Sequence, residues 1–241
     1  WVSAKGLIMD SKRSVITMNS AELFSAGKVS AYSLRMSAGM AELRGSKSAT
    51  LTLKDLLHLR DNSSLVLNGK LSAGSLLLTD STLSLCASSP QSISIKNAAL
   101  MQNSSMLVTG KMTVGSLGLE AASLYLTDFS AKHKAQNLTC NGMLHLDDAA
   151  MLSLNGKLTT NDLKVSTDSA VTLNFTAAKF NTITVKNTLT IFGTMDMNFC
   201  CDLQPGKEVK LFTFKTFAGD SSQLLTLFGL DNIIAAARCK T

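Results

Sequence analysis

Aromatic side chains are scarce in this chain: they make up 5% of 241 residues, with a single Trp and two Tyr. Aromatic rings dominate the buried area of many cores, so an interior filled by small and aliphatic side chains is implied instead. There are only 2 Pro, too few for a polyproline stretch or a proline-rich linker. No window approaches 18 consecutive apolar residues, so no transmembrane helix and no membrane insertion by this segment are expected. The five cysteines (Cys86, Cys140, Cys200, Cys201, Cys239) show neither a Cys-x-x-Cys spacing nor a neighbouring His pair, which argues against a metal site. An odd count with one vicinal pair is not a disulfide framework, and Cys140, in an alternating apolar slot, reads as a small core residue. A Ser-His-Asp set, a phosphate loop and a dinucleotide fingerprint are also missing. No catalytic residue, metal or cofactor is therefore expected.

Acidic residues are in the minority. Lys and Arg number 23 against 17 Asp and Glu, for a formal charge of +6. That surplus permits affinity for acidic polymers or surfaces. The lysines are dispersed and no basic run is interleaved with aromatics, so nucleic acid is not the expected partner. Disorder is excluded by an aliphatic content that is both high and regularly spaced.

What the chain has is a phrase ending in Gly-Lys that returns four times. It reads AELFSAGKVSAYSL at 21–34, SSLVLNGKLSAGSL at 63–76, SSMLVTGKMTVGSL at 104–117 and AAMLSLNGKLTTNDL at 149–163. The anchors Gly27, Gly69, Gly110 and Gly156 are 42, 41 and 46 residues apart, which points to a repeat architecture. Four residues before each glycine stands Leu23, Leu65, Met106 or Leu152; two after it stands Val29, Leu71, Met112 or Leu158. Leu34, Leu76, Leu117 and Leu163 come seven after it, and Met36, Leu78, Leu119 and Val165 nine after it. Steps of two are the strand period. The glycine sits where one alternating run stops and the next begins, as at a corner needing positive φ or close backbone approach.

Between these phrases lies a second recurring piece: 48–59, 91–101, 136–146 and 181–191. Each is an alternating run, a Lys-Asp, Lys-Asn or Asn-Gly turn of a kind that tolerates left-handed backbone, and another alternating run. A unit of about 42 residues then makes two coils of a parallel β-solenoid, about 21 residues each. A helical reading fails for want of a 3.6-residue apolar face, and the leucine-rich-repeat phase is not held.

After Asn187 the pattern decays. Five of the 10 Phe fall between Phe199 and Phe228, around the turn signal Gln204-Pro205-Gly206-Lys207. Residues 1–200 are read as solenoid repeats, and residues 201–241 as a C-terminal cap or the start of a following segment. The first residues, from Trp1, show no initiator Met and no signal peptide, as in a processed chain or an excised piece.

The runs LNGKLSAGSLLLTDSTLSL, VTGKMTVGSLGLEAASLYL and GKEVKLFTFKTFAGDSSQL resemble the autotransporter-associated β-strand repeat proteins of bacterial surfaces. More broadly they are similar to autotransporter passenger domains, over roughly residues 20–225. The resemblance implies a secreted or surface-displayed right-handed β-helix, usually an adhesin or scaffold, and supplies no catalytic motif.

Three sets of polar residues bear on function. His58 and His145, each within Leu-His-Leu, should point outward about four coils apart, too far to share a metal; His133 is also expected to face solvent. Lys28, Lys70, Lys111 and Lys157 follow the corner glycines and should form a column two coils apart. That column is either simply solvated or an anion-binding ridge. Asp147-Asp148 is the only adjacent acidic pair, and adjacent strand residues diverge to opposite faces; Asp61, Asp80 and Glu120 are expected on different corners. A glycosidase needs two carboxyls roughly 5–9.5 Å apart.

The fold expected is thus a right-handed parallel β-helix of about eleven coils with a degenerate C-terminal cap. The function expected is non-enzymatic: an adhesin or stalk at the bacterial outer surface or outside the cell. Its partner would be a host or matrix glycan or protein. Self-assembly into a filament or sheet is the alternative, and a carbohydrate-active β-helix enzyme the third.

Overall fold

The computed structural model describes residues 2–4, 7–8, 14–85, 91–127, 136–175, 182–199 and 212–219. Among them there is no helix, and every strand pairing is parallel. The strands stack into three ladders, visited in the same order on every coil, and together they form a β-solenoid.

Ladder 1 starts at Val2–Ala4 and Glu22–Ser25 and ends at Ala170–Phe175 and Thr194–Phe199. Ladder 2 runs from Leu7–Ile8 and Lys28–Ala31 to Thr182–Val185 and Phe212–Thr213. Ladder 3 runs from Val15–Asn19 and Ser33–Ser37 to Thr188–Ile191 and Thr216–Ala218.

The interior is built by alternation. In Ser64–Ala73 the side chains of Leu65, Leu67, Leu71 and Ala73 point in, while Val66, Asn68, Lys70 and Ser72 point out. Because neighbouring coils stay in register, identical slots stack. The expected columns form: Leu51, Leu71, Ile93, Met112, Leu138 and Leu158 lie opposite one another in turn. So do Leu57, Leu76, Ala99, Leu117, Leu144 and Leu163. All are buried in one continuous core. Aromatics are rare because each coil has room for only a few aliphatic groups at the axis. Cys140 fills one such slot between Val114 and Thr160 and is 1% exposed. Burial pushes its thiol pKa up, so a thiol reagent should leave Cys140 unmodified until the solenoid is unfolded.

The two coils of each unit are unequal, a departure from the even 21-residue expectation. Successive ladder 1 partners advance by 18 residues (Leu23 to Ala41), 24 (Ala41 to Leu65), 18 (Leu65 to Leu83) and 23 (Leu83 to Met106). They then advance by 18 (Met106 to Leu124), 28 (Leu124 to Leu152), 19 (Leu152 to Val171) and 24 (Val171 to Met195). The extra residues of the long coils sit between ladders 1 and 2, after Arg44, Leu85, Leu126 and Phe175. In the short coils the same corner is crossed at Gly69, Gly110 or Gly156. A Cβ on Gly69 would lie 1.7 Å from the Ala49 carbonyl oxygen of the preceding coil. Close approach therefore demands glycine there, and at Gly156 a φ of 151° adds to it.

Left-handed backbone appears elsewhere than expected. The Lys54-Asp55, Lys96-Asn97 and Lys186-Asn187 turns between ladders 2 and 3 keep ordinary φ and carry coil-to-coil amide bonds, such as Asn97 N–H to Gly74 C=O at 2.8 Å. The positive-φ residues other than glycine are instead at the corner between ladders 3 and 1, where Ser20, Ala38, Asp61, Asn62, Asp80, Asn103, Ala121, Asp148 and Ala149 have φ of 46–61°. Asp and Asn tolerate this conformation better than other side chains.

A buried serine follows in several coils. The Ser104 hydroxyl accepts from the Ser81 amide at 3.1 Å and donates to the Gln102 carbonyl at 2.6 Å. Ser63 does the same for Gly39 and Arg60. Replacing Ser104 by Ala should cost about 1–3 kcal/mol, because the buried Ser81 amide loses its acceptor. Chemical denaturation measures this, and a variant matching the parent would show that the serine is dispensable.

Of the Phe-rich region, Phe199 closes the strand Thr194–Phe199, and beyond it only residues 212–219 are described. Phe212 and Phe217 pair with Ile183 and Leu189, continuing ladders 2 and 3. Phe212, Phe214 and Phe217 pack, partly buried, against the core. Trp1, His133, Cys86, Cys200, Cys201 and Cys239 lie outside the described residues.

Candidate functional site

A solenoid whose described inward slots are nearly all aliphatic, with Cys140 and Thr160 among the exceptions, leaves its outer faces to meet other molecules. The three faces differ in chemistry.

On ladder 2 the outward positions form two columns. The first alternates Lys28, Thr50, Lys70, Ser92, Lys111, Asn137, Lys157 and Thr182. All four of its lysines are exposed. The register places them two coils apart, as the sequence spacing predicts, which is roughly 10 Å at ~4.8 Å per coil. Beside it, Ser30, Thr52, Ser72, Ser94, Thr113, Thr139, Thr159, Thr184 and Thr213 stand opposite one another without a break. A second row of exposed lysines, Lys54, Lys96, Lys186 and Lys215, follows at the ladder's far margin. These belong to the long coils except for Lys215, so the two rows are staggered. Among the described residues, no lysine of this face is in an ion pair.

Ladder 3 is mixed. Its central outward column reads Arg35, His58, Leu77, Leu100, Gly118, His145 and Lys164. His58 and His145 are four ladder steps apart, half-buried and outward, as expected. A shallow recess at the N-terminal end is lined by Thr17, Asn19, Arg35, Ser37, His58 and Arg60. Partial burial, then Arg60 and Arg35, push the His58 pKa below its usual 6.5, against the opposing influence of Asp61. A lowered folded pKa means the unfolded chain binds more protons between that value and 6.5. Stability from this group is therefore present above pH 6.5 and lost as pH falls through the lowered value. His58→Gln should shrink the difference in stability between pH 7 and pH 5, which paired denaturant titrations would measure; an unaltered pH dependence would rule His58 out as its source.

Farther along ladder 3, Asp147 is held below the usual carboxylate range, chiefly by a hydrogen bond from Ser166, with His145 and Lys164 adding attraction. His145 Nε2 is 3.9 Å from Asp147 and 3.4 Å from Ser166 Oγ.

The acidic residues are not spread over different corners, as the sequence suggested. Asp61, Asp80 and Asp148 all occupy the corner between ladders 3 and 1, because it is there that the backbone turns left-handed. Glu120 and Asp147 close the adjoining ladder 3 strands. Arg60 pairs with Asp61 at 3.3 Å, and Gln102 donates to Glu120 at 2.8 Å. Ladder 1 mixes Ser and Thr with the charged Glu22, Glu42, Arg44 and Asp196, and its central outward column carries Phe24, Val66, Leu107 and Tyr125.

Among the described residues, no three His, Cys, Asp or Glu side chains are grouped to hold a metal, and no helix is long and apolar enough to cross a membrane. The repeat itself shows half of the hydroxyl column, Ser30, Ser72, Thr113 and Thr159, each one residue past an inward aliphatic side chain, and the row of Lys28, Lys70, Lys111 and Lys157. The long-coil members Thr52, Ser94, Thr139 and Thr184 and the second lysine row escaped sequence reading. No protein-family model matches this chain, and neither a curated protein nor a solved structure is similar to it.

Proposed function

We propose that this chain is a non-enzymatic binding solenoid, secreted or displayed at a bacterial surface, that acts as an adhesin or stalk. The observation that carries this reading is the outer face of ladder 2, where the same polar chemistry recurs on every coil. Repetition at a fixed rise suits many weak contacts with an extended partner, since linked sites gain from effective concentration without any strong single contact. The resemblance to autotransporter passengers agrees with it.

Beads coated with the purified chain should adhere to immobilised glycans or matrix proteins and leave them intact. Release of new reducing ends from a polysaccharide would overturn the non-enzymatic reading, and beads that bind nothing would overturn the adhesin. Protease shaving of intact cells of the native source should remove the chain; protection would place it inside.

A second reading, side-by-side assembly, is favoured by charge segregation. The acids at the corner between ladders 3 and 1 could meet the lysines of a second copy, and open-ended contacts of that kind propagate. Light scattering over a concentration series decides: a mass held at 25.6 kDa removes assembly by this chain alone.

A further inference from the structure

We propose that the flat outer face of ladder 2 binds a linear acidic polysaccharide laid along the solenoid axis. The inference rests on the binding reading above and narrows it to one face and one ligand chemistry.

Charge is the first argument. Eight exposed lysines flank the hydroxyl column, four on each side. Among the described residues of this face and its margins the carboxylates are Asp55, which accepts a hydrogen bond from Ser33 at 3.2 Å, and Asp162, which accepts from the Thr188 amide at 3.1 Å. The remaining described acids lie on ladder 1, on ladder 3 or at the corner between them, so eight lysines face two carboxylates and the positive field of ladder 2 is not cancelled locally.

Spacing is the second. The row through Lys28 offers one ammonium every two coils, roughly 10 Å. In the other, Lys54 and Lys96 are two coils apart, Lys96 and Lys186 four, with Asn141 in the slot between, and Lys186 and Lys215 one. Lysines two coils apart repel little at a Debye length of about 8 Å, so the row through Lys28 persists without a ligand. A sugar ring in an extended polysaccharide is about as long as one coil is high. A polymer acidic at every second ring would therefore meet the row through Lys28, and a polyuronate would also meet the lysines of the other row.

Side-chain chemistry is the third. Ser and Thr hydroxyls donate and accept, as sugar hydroxyls do, and Thr methyl groups give an apolar footing to the sugar's C–H face. Nucleic acid fits less well. Among the described residues before Phe212 this face presents one aromatic ring, that of half-buried Tyr32 beside Lys54, too few for successive bases to stack on. Those residues also include no Arg, whose fork suits phosphate.

The test uses the whole chain with alginate, a linear polyuronate, and with dextran as its neutral counterpart. Alginate should bind, dextran should not, and affinity should fall when salt rises from about 0.05 M to about 0.5 M. It should also rise with oligouronate length until the ligand spans the ladder, roughly 40 Å. Two variants of equal net charge separate a site from bulk attraction. Replacing Lys28, Lys70, Lys111 and Lys157 by Gln should weaken binding at least about tenfold. Replacing Arg35, Arg44, Arg60 and Lys164, on the other two ladders, should change it less than about twofold. Unaltered circular dichroism and melting in both would show that folding is not the cause.

Equal loss in the two variants overturns the face. Tighter binding of single-stranded DNA than of alginate overturns the glycan. Oligomers that dissolve in the lysine variant assign the face to a second copy instead. If alginate fails while matrix protein or neutral glycan is still bound, this inference falls and the adhesin reading stands; if nothing is bound, both fall.

Discussion

Replacing Leu76 by Asp is expected to remove more than about 4 kcal/mol of stability. Leu76 is 2% exposed and stacks between Leu57 and Ala99 on the coils either side. Its truncation alone would cost about 2–5 kcal/mol, as for other large-to-small changes in a packed interior. The introduced carboxyl adds a second penalty, because every side chain it would meet is aliphatic and no donor is aimed into the axis. Such a group escapes charging by raising its pKa. The folded chain then holds a proton that the unfolded chain releases above about pH 3.9, so the defect deepens as pH rises and is mildest near pH 4. Leu76→Asn has nearly the same shape without the charge, and its defect should not follow pH in this way. Guanidinium titrations at pH 4 and pH 7 separate the two penalties. A Leu76→Asp chain that melts with the parent would mean that the side chain is not inside.

Damage of this kind should also stay local before it spreads. Coils touch only their neighbours, so stability in a solenoid is close to a sum of nearest-neighbour terms. Hydrogen exchange in Leu76→Asp should therefore accelerate first in the strands Leu56–Arg60 and Gln91–Gln102, which flank it.

The interior was the most legible part of the sequence. Leu65, Met106 and Leu152 recur at fixed offsets from a glycine, and a side chain that must lie on one of two faces leaves little ambiguity once the period is known. Cys140 and the outward direction of His58 and His145 follow from the same alternation. Coil length was harder, because the anchors chosen, Gly69 and its equivalents, occur only on short coils. An average taken between them hides the 18-residue and 23- to 28-residue halves.

A second signal marks the coils more directly: Asn62-Ser63, Asp80-Ser81, Asn103-Ser104 and Asp168-Ser169. It went unread because Asp and Asn before Ser look like ordinary loop composition. What singles out the first three is a turn into left-handed backbone followed by a buried hydroxyl, and neither has a period of two; Asp168 keeps ordinary φ before its buried Ser169. The outer face of ladder 2 was half legible. Lys28, Lys70, Lys111 and Lys157 carry the repeat with them. Thr52, Ser94, Thr139 and Thr184 join the hydroxyl column only once the long coils are placed in register.

Gly69→Ala tests the corner on which that register depends, and it is expected to cost several kcal/mol for the addition of one methyl group. The new Cβ would stand 1.7 Å from the Ala49 carbonyl oxygen and 2.6 Å from its carbon. Those are backbone atoms of a paired strand: Ala49 is matched to Gly69, Thr50 to Lys70 and Leu51 to Leu71. Relief therefore requires one coil to move off the other. That motion breaks ladder amide bonds and opens gaps beside Leu51 and Leu71, both of which are buried. Gly118→Ala supplies the comparison. There the nearest atom is the Leu100 Cδ1 at 3.1 Å, the end of an exposed side chain that can rotate away. Its cost should stay below about 1 kcal/mol, offset in part by the lower entropy of an unfolded chain with alanine in place of glycine. Thermal melts of the two variants at equal concentration give the ordering directly. A Gly69→Ala chain as stable as Gly118→Ala would mean that the short coil does not cross its corner against the Ala49 backbone, and the alternation of short and long coils would need another cause.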